Sequence, residues 1–144
     1  MRSLLDVNVL VALVDRQHVA HVAAHRWLAE NLTEGWASCP ITENGCVRVL
    51  TNPRYPAPVG AVQVLEKLRK AMAGGHHEFW PDDISITASE LFQSGSVQGH
   101  QQITDFYLLS LAVAHGGRLV TFDRGIQHSA VAGATVAHLV VLQG

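Results

Sequence analysis

Four acidic residues lie at the ends of predicted strands or at the starts of predicted helices, in four separate segments of the sequence. Asp6 follows a short apolar run near the N-terminus, and Asp123 follows a longer, partly β-branched run near the C-terminus. Glu43 and Asp105 lie in the first turns of predicted helices, where the helix dipole favours a carboxylate. Each residue alone also fits a purely structural role in a helix start or a turn. Asp6, however, lies between two apolar runs, where a charge is costly to bury unless it is paired or bound to a metal.

The segment of residues 103–123 shows how such carboxylates could meet. Thr104 is a suitable N-cap for a helix, and residues 106–114 are apolar except for Ser110, which predicts a buried helix. A pair of glycines ends this helix, and residues 118–122 predict a strand. In a layered α/β fold, a helix begins at the edge of the sheet where the strands end, which is where open α/β sheets place their sites. We therefore expect the four acidic side chains to lie together at the carboxyl edge of the sheet.

The remaining elements alternate in the same way along the chain. Residues 36–39 predict a second strand closed by Pro40, and Thr42 is a suitable cap for a helix that starts with Glu43. Thr87 to Glu90 form a capping box, which predicts a short helix from about Ala88. The other predicted elements are a strand at residues 3–5, helices at residues 18–31 and 59–73, and strands at residues 77–80 and 136–142. The sequence thus predicts one α/β domain over residues 1–144, with a mostly parallel central sheet and helices on both faces.

Four clustered carboxylates predict a particular chemistry. Like charges at short range repel one another and raise one another's pKa, so the cluster needs a cation. Carboxylate oxygens prefer hard ions, which favours Mg²⁺, with Mn²⁺ as a substitute. Such an ion can bind a scissile phosphate, activate water and stabilise the leaving oxygen, so the predicted reaction is metal-assisted hydrolysis of a phosphodiester.

The composition limits the function classes. The chain has 144 residues, of which 48% are hydrophobic and 15% are charged, and its formal net charge is −2. A nucleic-acid-binding surface would therefore be a local patch, with charge added by a metal or a second subunit. The two cysteines, Cys39 and Cys46, match no zinc spacing and suggest no disulfide framework, which fits a reducing cytoplasm. The apolar N-terminal run is too short and too polar for a membrane span.

Three histidines form a second candidate cluster. His18, His21 and His25 are spaced to lie close to one face of the predicted helix of residues 18–31. Three histidines on a face could bind zinc, but no carboxylate or cysteine completes the set locally. A solvated or interface face is the simpler interpretation.

The sequence resembles the PIN-domain family and, within it, the VapC ribonuclease toxins of bacterial toxin–antitoxin pairs. The resemblance depends on a D-x-N start, a T-E helix start, a T-D helix start and a T-F-D strand end, in matching order and spacing over nearly the whole chain. The helix that contains His18, His21, Trp27 and Leu28 adds to it. The segments that carry the four motifs are LLDVNVLVAL, ITENGCVRVLTNPRY and GHQQITDFYLLSLAVAHGGRLVTFDRGI.

This resemblance implies a PIN fold, a Mg²⁺- or Mn²⁺-dependent endoribonuclease, a homodimer and a VapB-type antitoxin that occludes the site. By motif, the metal-site acids would be Asp6, Glu43, Asp105 and Asp123. Asn8 and Thr104 would orient them without binding the ion themselves. The candidate RNA contacts are Arg48, Arg54 and Arg124.

Other classes of protein with a similar sheet would require different residues at the site. A haloacid-dehalogenase-type phosphotransferase needs an aspartate where Asn8 stands. A receiver domain needs an acidic pair at the first strand and a lysine after a later strand, whereas Lys67 and Lys70 lie in a predicted helix. A non-toxin RNA-processing PIN nuclease and a non-catalytic metal-binding PIN module both stay open.

Overall fold

A computed structural model describes residues 1–88 and 99–144 of the chain. These residues form a five-stranded, all-parallel sheet in the order β3-β2-β1-β4-β5. The strands are β1 (Ser3–Leu5), β2 (Trp36–Ser38), β3 (His77–Phe79), β4 (Arg118–Thr121) and β5 (Leu139–Val141). The predicted α/β class and the parallel sheet are confirmed.

Helices cover both faces of this sheet. The helices are α1 (Val7–Val14), α2 (His21–Glu30), α3 (Pro40–Thr51), α4 (Ala61–Met72) and α5 (Ile103–Ala114). Successive strand residues point to opposite faces, so Leu4 and Leu119 pack with α5, while Leu5 and Val120 pack with α1 to α4. Helix α5 is buried over its central residues 106–112, as its continuous apolar sequence predicts.

The two central strands define where a site would form. The chain runs outward from β1 through β2 to β3, and then returns to the other side of β1 as β4. The order of strands therefore reverses between β1 and β4, and open α/β sheets place their ligands at the carboxyl ends of such strands. Asp6 follows β1 directly, and Asp123 comes two residues after the end of β4.

Two predicted helix caps were wrong. Helix α3 begins at Pro40 rather than at Glu43, and its N-cap is Cys39. Proline suits the first helical position because that residue needs no N–H donor there. The Thr42 side chain instead accepts a hydrogen bond from the Cys39 backbone N–H at 3.0 Å, inside the first turn. Glu43 still lies in that turn.

The start of α5 was also misplaced. A 3-10 turn at His100–Gln102 leads into α5, which begins at Ile103 with Gln102 as its N-cap. Thr104 is therefore the second residue of the helix and not its cap. Asp105 remains in the first turn, as predicted, and Gly116 adopts a positive φ of 68° just beyond the helix end.

Two further elements begin three residues later than predicted. Helix α2 begins at His21 rather than at His18, because residues 16–20 form turns and a bend. The last predicted strand is shorter, since Val136–His138 form a 3-10 turn capped by Thr135 before β5. The predicted capping box of residues 87–90 and its helix extend outside the described residues. Within the described part of the chain, no helix is long and apolar enough to cross a membrane.

Candidate metal and nuclease site

Asp6 is fixed at the junction of β1 and α1. It is the N-cap of α1, and its carboxylate accepts a hydrogen bond from the Val7 backbone N–H at 2.7 Å. Its other oxygen accepts a bond from the Thr121 hydroxyl, also at 2.7 Å. The residue is only 6% exposed, and this burial raises the pKa of its carboxyl despite the two hydrogen bonds, with a further contribution from the charge of Asp123.

Thr121 links three of the predicted site residues. Its hydroxyl donates to Asp6, and it accepts hydrogen bonds from the Asn8 side-chain amide at 3.2 Å and from the Asp123 backbone N–H at 3.0 Å. Asn8 in turn accepts a bond from the Phe122 backbone N–H at 3.1 Å. Asn8 thus supports Asp6 through Thr121 rather than directly. Sequence reasoning noted the T-F-D motif but gave its threonine no role.

Asp105 faces the same edge from the other side of the sheet. Burial raises the pKa of its carboxyl to about 7, helped by the negative charges of Asp6 and Asp123 and by a hydrogen bond with Asp123. The structure therefore brings Asp6, Asp105 and Asp123 together, from β1, α5 and the end of β4. Asp123 itself is exposed, and its carboxylate accepts a bond from the Gly125 backbone N–H at 2.7 Å.

No cation among the described residues neutralises this group. The ion pairs among residues 1–88 and 99–144 involve other acids and none of these three aspartates. Within the same residues, no three His, Cys, Asp or Glu side chains are placed so that they could already enclose a metal ion. The aspartates thus form a group of interacting, partly desolvated oxygen donors rather than a closed coordination shell. A hard divalent cation fits such a group, since it would relieve the repulsion.

Glu43 reaches the carboxyl edge but is held apart from the aspartates. Its carboxylate accepts a hydrogen bond from the Ser38 hydroxyl at 2.6 Å, on the β2 side of the edge. Its helix, α3, packs tightly on α1 near Asp6, because a Cβ added at Gly45 would lie only 2.5 Å from a methyl carbon of Val7. Glycine at this position allows the close approach that keeps Glu43 near the end of β1.

The other predicted site residues fall in three places. Thr104 is exposed in the first turn of α5, next to Asp105. Arg124 is exposed beside Asp123, where it lines a cavity of about 280 Å³ together with Asn8 and Phe122.

Arg48 and Arg54 are both exposed but lie further from the aspartates. Arg48 is in the last turn of α3, which runs away from the carboxyl edge. Arg54 follows that helix, and the neighbouring Tyr55 hydroxyl donates to Asp15 at the far end of α1. The structure therefore places Arg124 close to the acids and Arg54 towards the opposite edge.

The three histidines do not form a metal site. His18 precedes α2, and its Nδ1 atom accepts a bond from the Ala20 backbone N–H at 3.0 Å. Ring nitrogens of His21 and His25 lie 2.7 Å and 3.2 Å from the carbonyl oxygens of Ala12 and Leu13, near the end of α1. His21 and His25 therefore form hydrogen bonds with backbone carbonyls at the end of α1, and His18 does so with a backbone N–H in the following turn. All three have a structural role.

The two cysteines are buried, and their thiols are poor nucleophiles near neutral pH. Burial raises the pKa of the Cys39 thiol to about 11 and that of the Cys46 thiol to about 12. Both are free, as expected, and both remain protonated near neutral pH.

Comparison with known proteins agrees with this geometry. The PIN domain family matches residues 3–132. Ribonuclease VapC44 of Mycobacterium tuberculosis is 49% identical over 142 residues, which cover 99% of this chain and 100% of that protein. The chain therefore belongs to the PIN-domain family, and within it to the VapC-type proteins.

Two solved structures share the fold at low sequence identity. One is VapBC2 from Rickettsia felis bound to a DNA fragment from its promoter, with a TM-score of 0.58, 18% identity, and coverage of 85% of this chain and 89% of that chain. The other is VapC20 of Mycobacterium tuberculosis, described as a sarcin–ricin loop cleaving toxin. Its TM-score is 0.54 at 10% identity, with coverage of 81% of this chain and 85% of that chain.

Proposed function

We propose that this protein is a metal-dependent endoribonuclease that acts in the cytoplasm as the toxin of a toxin–antitoxin pair. The observation that carries the proposal is the group formed by Asp6, Asp105 and Asp123 at the end of the two central strands. Burial and the neighbouring negative charges raise the pKa of Asp6 and that of Asp105, and the described chain supplies no cation partner for any of the three aspartates. The similarity to a protein named ribonuclease VapC44 supports RNA as the substrate.

In this proposal, the three aspartates hold Mg²⁺ or Mn²⁺, with Glu43 as the fourth acid of the site. When bound, the ion would supply electrophilic stabilisation of the phosphate oxygens at the scissile bond. Thr121 and Asn8 keep the Asp6 carboxylate in place, so that little reorganisation is needed.

Glu43 and Arg124 would act on the substrate side. Ser38 holds one carboxylate oxygen of Glu43, and the other makes no hydrogen bond to residues 1–88 or 99–144. That second oxygen can accept the proton of an attacking water. Arg124 is exposed beside Asp123 and would contact the RNA backbone, while Arg48 and Arg54 would contact more distant nucleotides.

Two protein partners complete the proposal. A homodimer would bring the arginines of a second subunit to the same groove, which would concentrate positive charge locally although each chain has a formal net charge of −2. A VapB-type antitoxin would occupy and block the site. The structural similarity to a chain of the VapBC2 complex is consistent with such a partner.

The direct test is RNA cleavage by the purified protein in Mg²⁺, in Mn²⁺ and in excess EDTA. We expect cleavage with either metal and none with EDTA. Asp105→Asn should reduce the rate by at least ~100-fold, since even groups that only support metal ligands commonly contribute 10- to 100-fold. The near-isosteric change should leave the protein folded, so a loss of rate would report on the site.

Asp83→Asn is the matched control. It removes the same charge from an exposed aspartate, and the new side chain can still accept the bond from His115, near the other end of α5. This variant should cleave like the wild type. Cleavage that persists in EDTA, or Asp105→Asn at full activity, would contradict the proposed site.

A further inference from the structure

A short chain of hydrogen bonds leads from β3 through β2 to Glu43. The His77 Nε2 atom lies 2.8 Å from the Ser38 Oγ atom, and that hydroxyl donates to the Glu43 carboxylate at 2.6 Å. Ser38 is only 1% exposed, so water cannot easily replace either bond. Among the described residues outside the aspartate group, the only other side-chain hydrogen bonds that support one of the four acids are that of Thr121 with Asp6 and that of Asn8 with Thr121.

The direction of the protons in this chain follows from simple counting. A serine hydroxyl has one proton, which here points to the Glu43 carboxylate. The serine oxygen must therefore accept from His77, so the Nε2 atom of His77 carries a proton. The histidine thereby prevents the hydroxyl from turning away from Glu43.

The sheet and its packing hold this histidine in place. His77 pairs with Trp36 in the β2–β3 register, and the two rings lie 4.5 Å apart. Ser38 lies two residues after Trp36, so all three side chains are on the same face of the sheet. That face is the one covered by α3, which carries Glu43.

We propose that Ser38 and His77 are positioning residues that fix the Glu43 carboxylate for metal and water. This inference deepens the proposed function and depends on Glu43 being part of the site. Ser38 would act by holding one oxygen of Glu43 so that the other faces the aspartate group. His77 would act one step further out, by fixing the direction of the Ser38 hydroxyl.

The test measures Mn²⁺ affinity by paramagnetic resonance of free Mn²⁺, which requires no RNA and no turnover. Ser38→Ala should weaken Mn²⁺ binding by ~10-fold, the lower end of the usual effect of groups that support a metal ligand. Ser38→Thr keeps the hydroxyl and should bind Mn²⁺ like the wild type. His77→Phe keeps a ring against Trp36 but removes the donor, and should give a smaller loss that His77→Gln restores.

Combined variants separate positioning from general damage to the fold. If Ser38 acts only through Glu43, Ser38→Ala should cause no further loss of Mn²⁺ affinity when Glu43→Ala is already present. Likewise, His77→Phe should cause no further loss when Ser38→Ala is present. Circular dichroism and melting of each variant check that the protein is folded at the temperature of the titration.

Three results would overturn the proposal. In the first, Ser38→Ala binds Mn²⁺ as tightly as the wild type. In the second, Ser38→Ala weakens Mn²⁺ binding equally in the presence and in the absence of Glu43. In the third, Glu43→Ala leaves the Mn²⁺ affinity unchanged. A failure of the proposed function would look different, because the wild type would then bind Mn²⁺ but cleave no RNA. In that case, the affinities would still decide the role of Ser38 and His77.

Discussion

The two edges of the central sheet differ in how their charges are satisfied. At the amino edge, charges are paired, since Arg2 lies 3.4 Å from Glu78 and Glu34 is close to both the N-terminal ammonium and Arg118. Arg118 also donates to Ser3 and Asn31 and lies over the Trp27 ring, 5.2 Å from its centre. These interactions join the first and fourth strands to the neighbouring helix.

At the carboxyl edge, the described chain supplies no cation for Asp6, Asp105 and Asp123. Asp6 accepts hydrogen bonds from neutral groups only, and the pKa of Asp6 and that of Asp105 are raised. One edge therefore stabilises the fold, whereas the other costs stability until a cation binds. This difference is characteristic of a structural region and a functional site in the same small domain.

The largest effect that sharpens this comparison is expected from Thr121→Val at the carboxyl edge. The change conserves shape but removes the hydroxyl that joins Asp6, Asn8 and the Asp123 backbone. We expect RNA cleavage to fall by ~10- to 100-fold, because the support for Asp6 is lost. The free energy of unfolding should fall by ~1–3 kcal/mol, because buried polar groups lose their partners.

Thr121→Ser is the control for that substitution. It keeps the hydroxyl and should retain most of the activity, although it loses a buried methyl group. Equal loss of activity in the serine and valine variants would contradict the role given to the hydroxyl, because serine keeps that group.

At the amino edge, Arg118→Ala should reduce the stability of the fold but leave RNA cleavage nearly unchanged. Loss of the bonds to Ser3 and Asn31 and of the contact with Trp27 should reduce the free energy of unfolding by ~2 kcal/mol. Cleavage measured well below the melting temperature should stay within about twofold of wild type, because Arg118 is remote from the acids. Chemical denaturation and initial-rate assays measure the two quantities, and Arg26→Ala, at an exposed arginine of α2, is the matched control. A large loss of rate in folded Arg118→Ala would refute the division between the two edges.

A further comparison is the pH dependence of stability in the wild type and in Asp105→Asn, both in EDTA. The folded wild type keeps the Asp105 proton up to a pKa of about 7, whereas the unfolded chain releases it near the usual value of 3.8. The folded state thus binds more protons between these values, so the wild type loses stability as the pH rises from about 4 to 7. Asparagine does not titrate, so the free energy of unfolding of the variant should rise relative to that of the wild type over this range. Above pH 7, the difference between the two proteins should stay constant.

Denaturant unfolding at pH 5 and pH 8 measures that difference. The advantage of Asp105→Asn over wild type should be larger at pH 8. If the advantage were the same at both pH values, Asp105 would have an ordinary pKa and the aspartates would not interact as described.

The sequence was sufficient to predict the sheet and the position of three acids. The short strand at residues 3–5 and the buried helix α5 follow from continuous apolar runs, and strand ends in a parallel sheet fall at one edge. Helix starts were less predictable. Thr42 and Thr104 are good N-caps by residue type, but Pro40 can begin a helix without an N–H, and a 3-10 turn carries the chain into Ile103.

The supporting contacts could not be predicted, because they depend on pairing between distant segments. Thr121 meets Asp6 only through the β1–β4 register, across 115 positions of sequence. Ser38 meets His77 only through the β2–β3 register, across 39 positions. Local sequence shows that Ser38 and Thr121 are polar residues in apolar strands, which is a signal of a buried role but does not identify the partner.

The central claim is that the carboxyl edge binds a divalent cation through its aspartates, and a melting series in MnCl₂ against EDTA tests it most directly. Binding to the folded state alone should stabilise the wild type by about 2.7 kcal/mol at a hundred times the dissociation constant, which for a domain of this size corresponds to a rise of several degrees. Arg118→Ala should show the same rise from a lower starting temperature, whereas Asp105→Asn and Asp6→Asn should show far smaller ones. Equal Mn²⁺-induced shifts in the wild type and both aspartate variants would contradict the claim, because the ion would then bind elsewhere.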